Sequence, residues 1–230
     1  MIRTLGLAVL VLVALILAMG SFQLDRPVRE AVVEAQGKKW KKSDEARFHG
    51  LVRRYGDWPY LMGYGAVAVG IAMACKSRRW TRIIAAAMVA STLAGIVANT
   101  SRLTTGRTRP RAPAEIEQGF YGPWHQGRLL IGDSTYNSFP SGHTATAFGL
   151  AVPVLLGAPL AGVVVLAGAA LVAWSSIALG AHHPSDVVVS IIIATAVGWV
   201  VRVWVGRGGL ENASVWVKRA AGRKKASDRE

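Results

Sequence analysis

Phe139-Pro140-Ser141-Gly142-His143-Thr144 closes a long polar loop and opens an apolar run that reaches Leu156. Pro140 lacks an amide proton, so a helix begins after it and does not run through it. Gly142 has no Cβ to hold a ligand away from the backbone. Ser141 adds a hydroxyl, and His143 adds a ring that exchanges a proton near neutral pH. The first N–H groups of the helix that follows have no partner within it, so they form a place for an anion. Taken alone, Pro140–His143 is a weak signal and reads more readily as a turn and a helix cap with an incidental histidine.

The apolar run that follows is one of six, at about 5–22, 59–75, 83–98, 144–157, 160–180 and 187–205. Most hold roughly 16 to 21 residues, near the ~20 that a spanning helix needs. The 230-residue chain is 52% hydrophobic and only 17% charged, which excludes an ordinary soluble domain. Gly, Ala and Ser are frequent inside the runs and allow helices to pack closely in lipid. The expected fold is all-α: a polytopic bundle of six transmembrane helices. Residues 1–206 form one integral membrane domain, and 207–230 form a basic, mobile cytoplasmic tail. The first run also has features of a signal peptide, with Arg3 before it and Ala18-Met19-Gly20 as a cleavage site. Its length and the even parity of six spans favour a retained helix. A single cysteine, Cys75, excludes an intrachain disulfide.

The net charge of +14 would suggest nucleic acid in a soluble protein. No nucleic-acid module is present, and here the charge fits anionic lipid head groups and an anionic substrate. Between the first two runs, Asp25–Gln36 has the pattern of an amphipathic helix, with Val28, Val32 and Ala35 on one side. Lys38-Lys39-Trp40-Lys41-Lys42 follows, then Ser43-Asp44-Glu45 as a second helix start. This segment is expected to lie on the membrane, while the lysine run within it reads equally well as a solvated loop. Four cations in the seven residues Lys76–Arg82 form a short turn that belongs in the cytoplasm. The loops after the first, third and fifth spans then face the opposite side. Trp58, Trp80, Trp124, Trp199 and Trp204 fall near span ends, as anchors at the interface do. The Asn212-Ala213-Ser214 triplet falls on the cytoplasmic side and is discounted as a glycosylation site.

Three polar clusters fall on the outer loops. Arg102, Arg107, Arg109 and Arg111 end the third span, and arginine presents a planar fork that matches phosphate oxygens. Pro140–His143 is the second cluster. The third holds Ser175, Ser176, His182, His183 and Asp186, with His182 and Asp186 four apart. At that spacing the carboxylate can hold one imidazole nitrogen and leave the other free. Cations, a proton-carrying histidine and a second histidine held by an aspartate suit phosphoryl transfer.

The spacing resembles the membrane branch of the type-2 phosphatidic acid phosphatase superfamily, whose pattern is Lys-x6-Arg-Pro, Pro-Ser-Gly-His and Ser-Arg-x5-His-x3-Asp. Arg102 and Arg109-Pro110 match the first motif with Arg for Lys, Pro140–His143 match the second, and Ser175, His182 and Asp186 match the third. The resemblance spans roughly residues 59–205. It implies an integral membrane lipid phosphatase of a bacterial inner membrane, with its active site on the extracytoplasmic side. It further implies that His182 attacks phosphorus to form a phosphohistidine, that Asp186 supports His182, and that His143 protonates the leaving oxygen and then activates water. Arg102, Arg109, Ser141 and the Gly142 N–H would hold the phosphate. Neither metal nor cofactor is implied. The partners expected are a lipid phosphate substrate and membrane lipids, with no nucleic acid. Family substrates include undecaprenyl diphosphate, phosphatidylglycerophosphate, phosphatidic acid and lipid A.

One departure stands out: Ser176 occupies the place of the third-motif arginine, and no Lys or Arg lies between Arg128 and Arg202. Arg107, Arg111 or His183 would have to substitute. Without a substitute the chain is weakly active, or is a non-catalytic phospholipid-binding or transport protein on the same scaffold. A soluble haloperoxidase-like enzyme is disfavoured by the apolar runs. His49, His125 and His183 match no motif position and read as surface or interfacial histidines.

Overall fold

The computed structural model describes residues 2–36 and 40–208. Most of the predicted basic tail, including Asn212, and Lys38-Lys39 of the lysine run lie outside the described residues. Eight α-helices make up the described fold: α1 (Ile2–Gln23), α2 (Asp25–Ala35), α3 (Asp44–Tyr55), α4 (Trp58–Ala74), α5 (Arg78–Thr105), α6 (Gly142–Gly157), α7 (Pro159–Ala178) and α8 (Pro184–Gly206). The only strands among the described residues are Trp124–His125 and Arg128–Leu129, a two-residue antiparallel hairpin in the loop after α5.

Local chemistry sets the helix ends. The Asp57 carboxylate accepts from the Trp58 N–H and Pro59 follows in the first turn, so α4 starts there. Pro159 and Pro184 open α7 and α8 in the same way. Ser141 caps α6, and Ser43 caps α3 by accepting from Ala46 N–H at 3.1 Å. Helix α5 stops at Gly106, whose φ is +54° and where a Cβ would strike the Gly122 carbonyl. It runs beyond the predicted apolar block at both ends, because residues 78–82 and 99–105, mostly polar, continue the helix past the apolar run.

Helix α6 sits at the centre, against α5, α7 and α8, and most of its residues are buried. Small side chains make this possible. Ala86, Ala87, Ala90, Ser91, Ala94, Gly95 and Ala98 form a buried stripe on α5. A Cβ at Gly149 of α6 would lie 2.9 Å from the Ala90 carbonyl oxygen, so the two backbones nearly touch. Ser91 Oγ donates to the Thr146 carbonyl across this seam at 2.8 Å.

The outer faces of the bundle are apolar: Leu10, Val67, Val164 and Leu160 are exposed, Leu160 to 91%. Such a surface suits lipid, not water. Three helices, α5, α7 and α8, are long and apolar enough to cross a membrane. Helices α1 and α2 meet at a 43° bend and make a fourth candidate if counted as one span. Helices α4 and α6, with 17 and 16 residues, are shorter apolar helices.

The segment expected to lie on the membrane does form two helices, but both are docked on the bundle. Asp25, in the first turn of α2, is buried and accepts from the Ser185 N–H at 3.0 Å. Helix α3 packs on α7, with His49 Nδ1 2.9 Å from Ser175 Oγ. His49 and His183 are therefore buried, not surface or interfacial.

Candidate active site

The loop after α5, the start of α6 and the turn between α7 and α8 meet at one end of the bundle. Gly180, with φ +59°, turns the chain back after α7, and the N–H groups of Ala181 and His182 both donate to the Ser176 carbonyl. This turn carries the His182 ring into the interior, where it is 1% exposed. His182 Nδ1 lies 2.7 Å from the Ser138 carbonyl oxygen. A carbonyl only accepts, so Nδ1 carries the proton and Nε2 keeps its lone pair. Nε2 is buried and makes no hydrogen bond among the described residues. Asp186 Oδ2 is 3.6 Å from His182 Nδ1, so it acts on the ring electrostatically and not as its hydrogen-bond acceptor.

Asp186 sits in the first turn of α8 and is fully buried. Its carboxylate accepts from Arg107 Nη1 at 2.5 Å, Ser138 Oγ at 2.5 Å and the His183 N–H at 2.7 Å. Ser138 thereby holds both partners of the pair: its carbonyl takes His182 and its hydroxyl takes Asp186. Burial pushes the His182 pKa down to about 4, with Asp186 opposing and Arg53 and Arg102 adding to the fall. The ring is neutral at pH 7.

His143 stands in the first turn of α6 with Nε2 3.6 Å from Asp57 Oδ1. Besides Asp57, the guanidinium groups of Arg53, Arg102 and Arg109 and the neutral ring of His182 lie within electrostatic reach of it. Arg102, in the last turn of α5, donates from Nε to the Pro140 carbonyl at 3.3 Å and leaves a buried Nη2 with no partner. A Cβ at Gly142 would collide with that guanidinium, so only glycine leaves room for it. Arg109 donates from Nη2 to the Asn137 carbonyl at 3.2 Å, and burial first, then Arg111, Arg53 and Arg102, lower its pKa to about 10. It stays charged at neutral pH. Ser141 Oγ is 2.9 Å from Thr144 Oγ1.

The structure thus gathers His143, His182, Asp186, Arg102, Arg109, Ser141 and Gly142 around one end of α6. The auxiliary residues stand differently. Arg107 is spent on two buried carboxylates, Asp186 and Asp25, and sits among the rings of Phe22, Phe120 and Phe139. His183 Nε2 donates to the Thr108 carbonyl at 3.1 Å. Arg111 is exposed, next to Gly180. Ser176 is buried, with Oγ donating to the Val172 carbonyl at 3.0 Å. Among the described residues no group of three or more His, Cys, Asp and Glu side chains is gathered as a metal would need.

Sequence reasoning missed Ser138, Asp57, Asp25 and Arg53. Ser138 is adjacent to the second motif, and Asp57 marks the start of α4, but neither spacing named a role. Arg53 belongs to α3, 49 positions before Arg102, and nothing local points it at the site.

Arranged in this way, the end of the bundle offers a neutral imidazole nitrogen, a second imidazole beside a carboxylate, and unpartnered guanidinium nitrogen. The family model of the PAP2 superfamily matches residues 80–209, which include all three motifs. Two solved structures share the fold. LpxE from Aquifex aeolicus is 22% identical with a TM-score of 0.51, over 77% of this chain and 94% of its own. The transmembrane PAP2-type phosphatidylglycerolphosphate phosphatase from Bacillus subtilis is 18% identical with a TM-score of 0.54, over 87% of this chain and 96% of its own. No curated protein sequence matches significantly.

Proposed function

The chain belongs to the PAP2 superfamily, and we propose that it is a metal-independent lipid phosphatase of six membrane spans that works through a phosphohistidine on His182. The observation that carries the proposal is the state of the His182 ring. Its Nδ1–H is tied to Ser138, and its Nε2 lone pair is free in a site shared with Arg102.

In the first step Nε2 bonds to phosphorus and the P–O bond to the lipid, or to the inner phosphate of a lipid diphosphate, breaks. Protonated His143 gives its proton to that leaving oxygen. Asp57 Oδ1 lies 3.6 Å from His143 Nε2, on the side of the ring where the proton is held or passed on. Arg102, Arg109 and the Gly142 N–H take the charge on the three remaining phosphoryl oxygens. Asp186 steadies the positive charge that grows on the His182 ring. In the second step His143 takes a proton from water, the oxygen bonds to phosphorus, and the P–N bond breaks to release inorganic phosphate.

The six spans are α1, α4, α5, α6, α7 and α8. Arg79 donates to the Gly157 carbonyl at 3.0 Å, so the basic turn before α5 and the turn between α6 and α7 share one end of the bundle. Arg102 stands at the far end of the same 28-residue helix. With the basic turn in the cytoplasm, the catalytic end faces outward, at the inner membrane of a bacterium. Residues 1–206 then form the catalytic domain, with a cytoplasmic tail beyond. Undecaprenyl diphosphate, phosphatidylglycerophosphate, phosphatidic acid and lipid A are the substrates to compare.

Trapping tests the mechanism. Protein quenched during turnover of a lipid phosphate labelled at phosphorus should carry acid-labile, base-stable label on the peptide containing His182. Label on any other residue, or none while phosphate is being released, would remove the proposed nucleophile.

A further inference from the structure

We propose that Arg53, brought in on α3, is a phosphate-binding residue that takes over the work of the arginine the family pattern puts at Ser176. The proposal rests on the phosphatase reading and extends it. Three contacts fix where Arg53 stands. One turn before it, His49 bonds to Ser175, the chain neighbour of Ser176, at 2.9 Å. Four residues after it, past the end of α3 at the cap of α4, Asp57 lies 3.6 Å from His143 Nε2. Arg53 is therefore the middle of a stripe that runs from the end of α7 to His143. Between these anchors Gly56 backs onto Val172 so closely that a Cβ would strike its methyl groups, so α3 is seated firmly on α7.

The guanidinium ends in the site with unmet hydrogen-bonding capacity. Arg53 Nε is buried and has no hydrogen-bond partner among the described residues, and the same is true of Arg102 Nη2 and His182 Nε2. Two cationic donors and one imidazole lone pair, each without a hydrogen-bond partner among the described residues and within electrostatic reach of one another, are what a phosphoryl group with several oxygens would satisfy. Arg53 is near enough to act on His143, His182, Arg102 and Arg109. Asp57 is the carboxylate that faces it, and burial before all else lowers its pKa to about 10, which leaves it charged at neutral pH. The residues suggested by sequence are engaged elsewhere: Arg107 on Asp25 and Asp186, and His183 on Thr108. Ser176, with its hydroxyl folded back onto Val172, leaves that stretch of α7 to α3.

The test uses the full chain in detergent, as the parent and as Arg53→Gln, Arg53→Lys and Arg47→Ala, with His182→Ala as blank. Two readouts are taken: kcat/KM on a lipid phosphate and the affinity for vanadate by calorimetry. Arg53→Gln should lose on the order of 10²-fold in kcat/KM and bind vanadate correspondingly more weakly. Arg53→Lys should recover part of both, and Arg47→Ala, on the exposed face of α3, should match the parent. Arg53→Gln equal to the parent in both readouts would overturn the proposal. If the parent releases no phosphate above the His182→Ala blank, the phosphatase reading falls, and vanadate still decides Arg53. Weaker binding by Arg53→Gln would uphold its contact with phosphate, and equal or absent binding in the two would overturn it.

Discussion

At the scale of the residue, the reading turns on one imidazole. His182 has a proton on Nδ1 because a carbonyl faces it, and a bare Nε2 because nothing does. Burial keeps the ring uncharged: its folded pKa, about 4, lies below the ~6.5 of a free imidazole. The unfolded chain therefore takes up this proton first, and the contribution of His182 to stability is lost as pH falls from about 6.5 towards 4. With ¹⁵N-labelled histidine, NMR should show His182 as the neutral Nδ1–H tautomer from pH 8 down to 5. A titration midpoint near 6.5, or a proton on Nε2, would contradict this. The motif spacing, through the family resemblance, pointed to His143, His182, Arg102 and Asp186, which the fold brings to one end of α6. It did not make Ser138 legible as the group that orients His182, because a backbone carbonyl leaves no mark in a sequence. The spacing suggested that Asp186 would hold the ring directly, whereas its oxygens bond to Arg107, Ser138 and the His183 amide.

At the scale of the element, the polar segment before α4 has two tasks. Helix α2 delivers Asp25 to Arg107 and Ser185, and so ties the start of the chain to the head of α8. Helix α3 delivers Arg53 to the site, and the cap of α4 delivers Asp57. Their amphipathic pattern was readable, and a position on the membrane surface was a fair expectation from it. The docking was not readable, since His49 and Ser175 lie 126 positions apart and no local period relates them. Arg107 is the joint most open to test. It faces two carboxylates and three aromatic rings, and removing a charge from such a pair leaves the others buried and unmatched. Arg107→Ala should cost about 3–5 kcal/mol of stability. A melting temperature like the parent's, in the same detergent, would show that the pair is not fixed in this way.

At the scale of the whole molecule, the apolar runs foretold the helices and the small residues foretold how close they come. Helix α6 is short yet central, and its stripe of Gly, Ala and Thr lets α5 and α8 close around it. Its first turn stands beside the last turn of α5 and the first of α8, so one end of the bundle collects residues from 102 to 186. Arg79, Arg82 and Arg202 line a cavity of about 350 Å³ at the other end. A basic end opposite the candidate active site fits the lipid phosphatase proposed above. Judged by motif spacing, a serine at position 176 is a defect. It reads differently once α3 is folded over α7, because a cation from elsewhere in the chain stands at the same site.

The central claim is that this end of the bundle removes phosphate from lipid. Purified full-length protein in detergent micelles, with chelator present, should release inorganic phosphate from at least one member of a panel of lipid phosphates and diphosphates. Vanadate should inhibit the release, and His182→Ala should show none. Release by His182→Ala at the parent's rate, or no release from any lipid by a folded parent, would contradict the account.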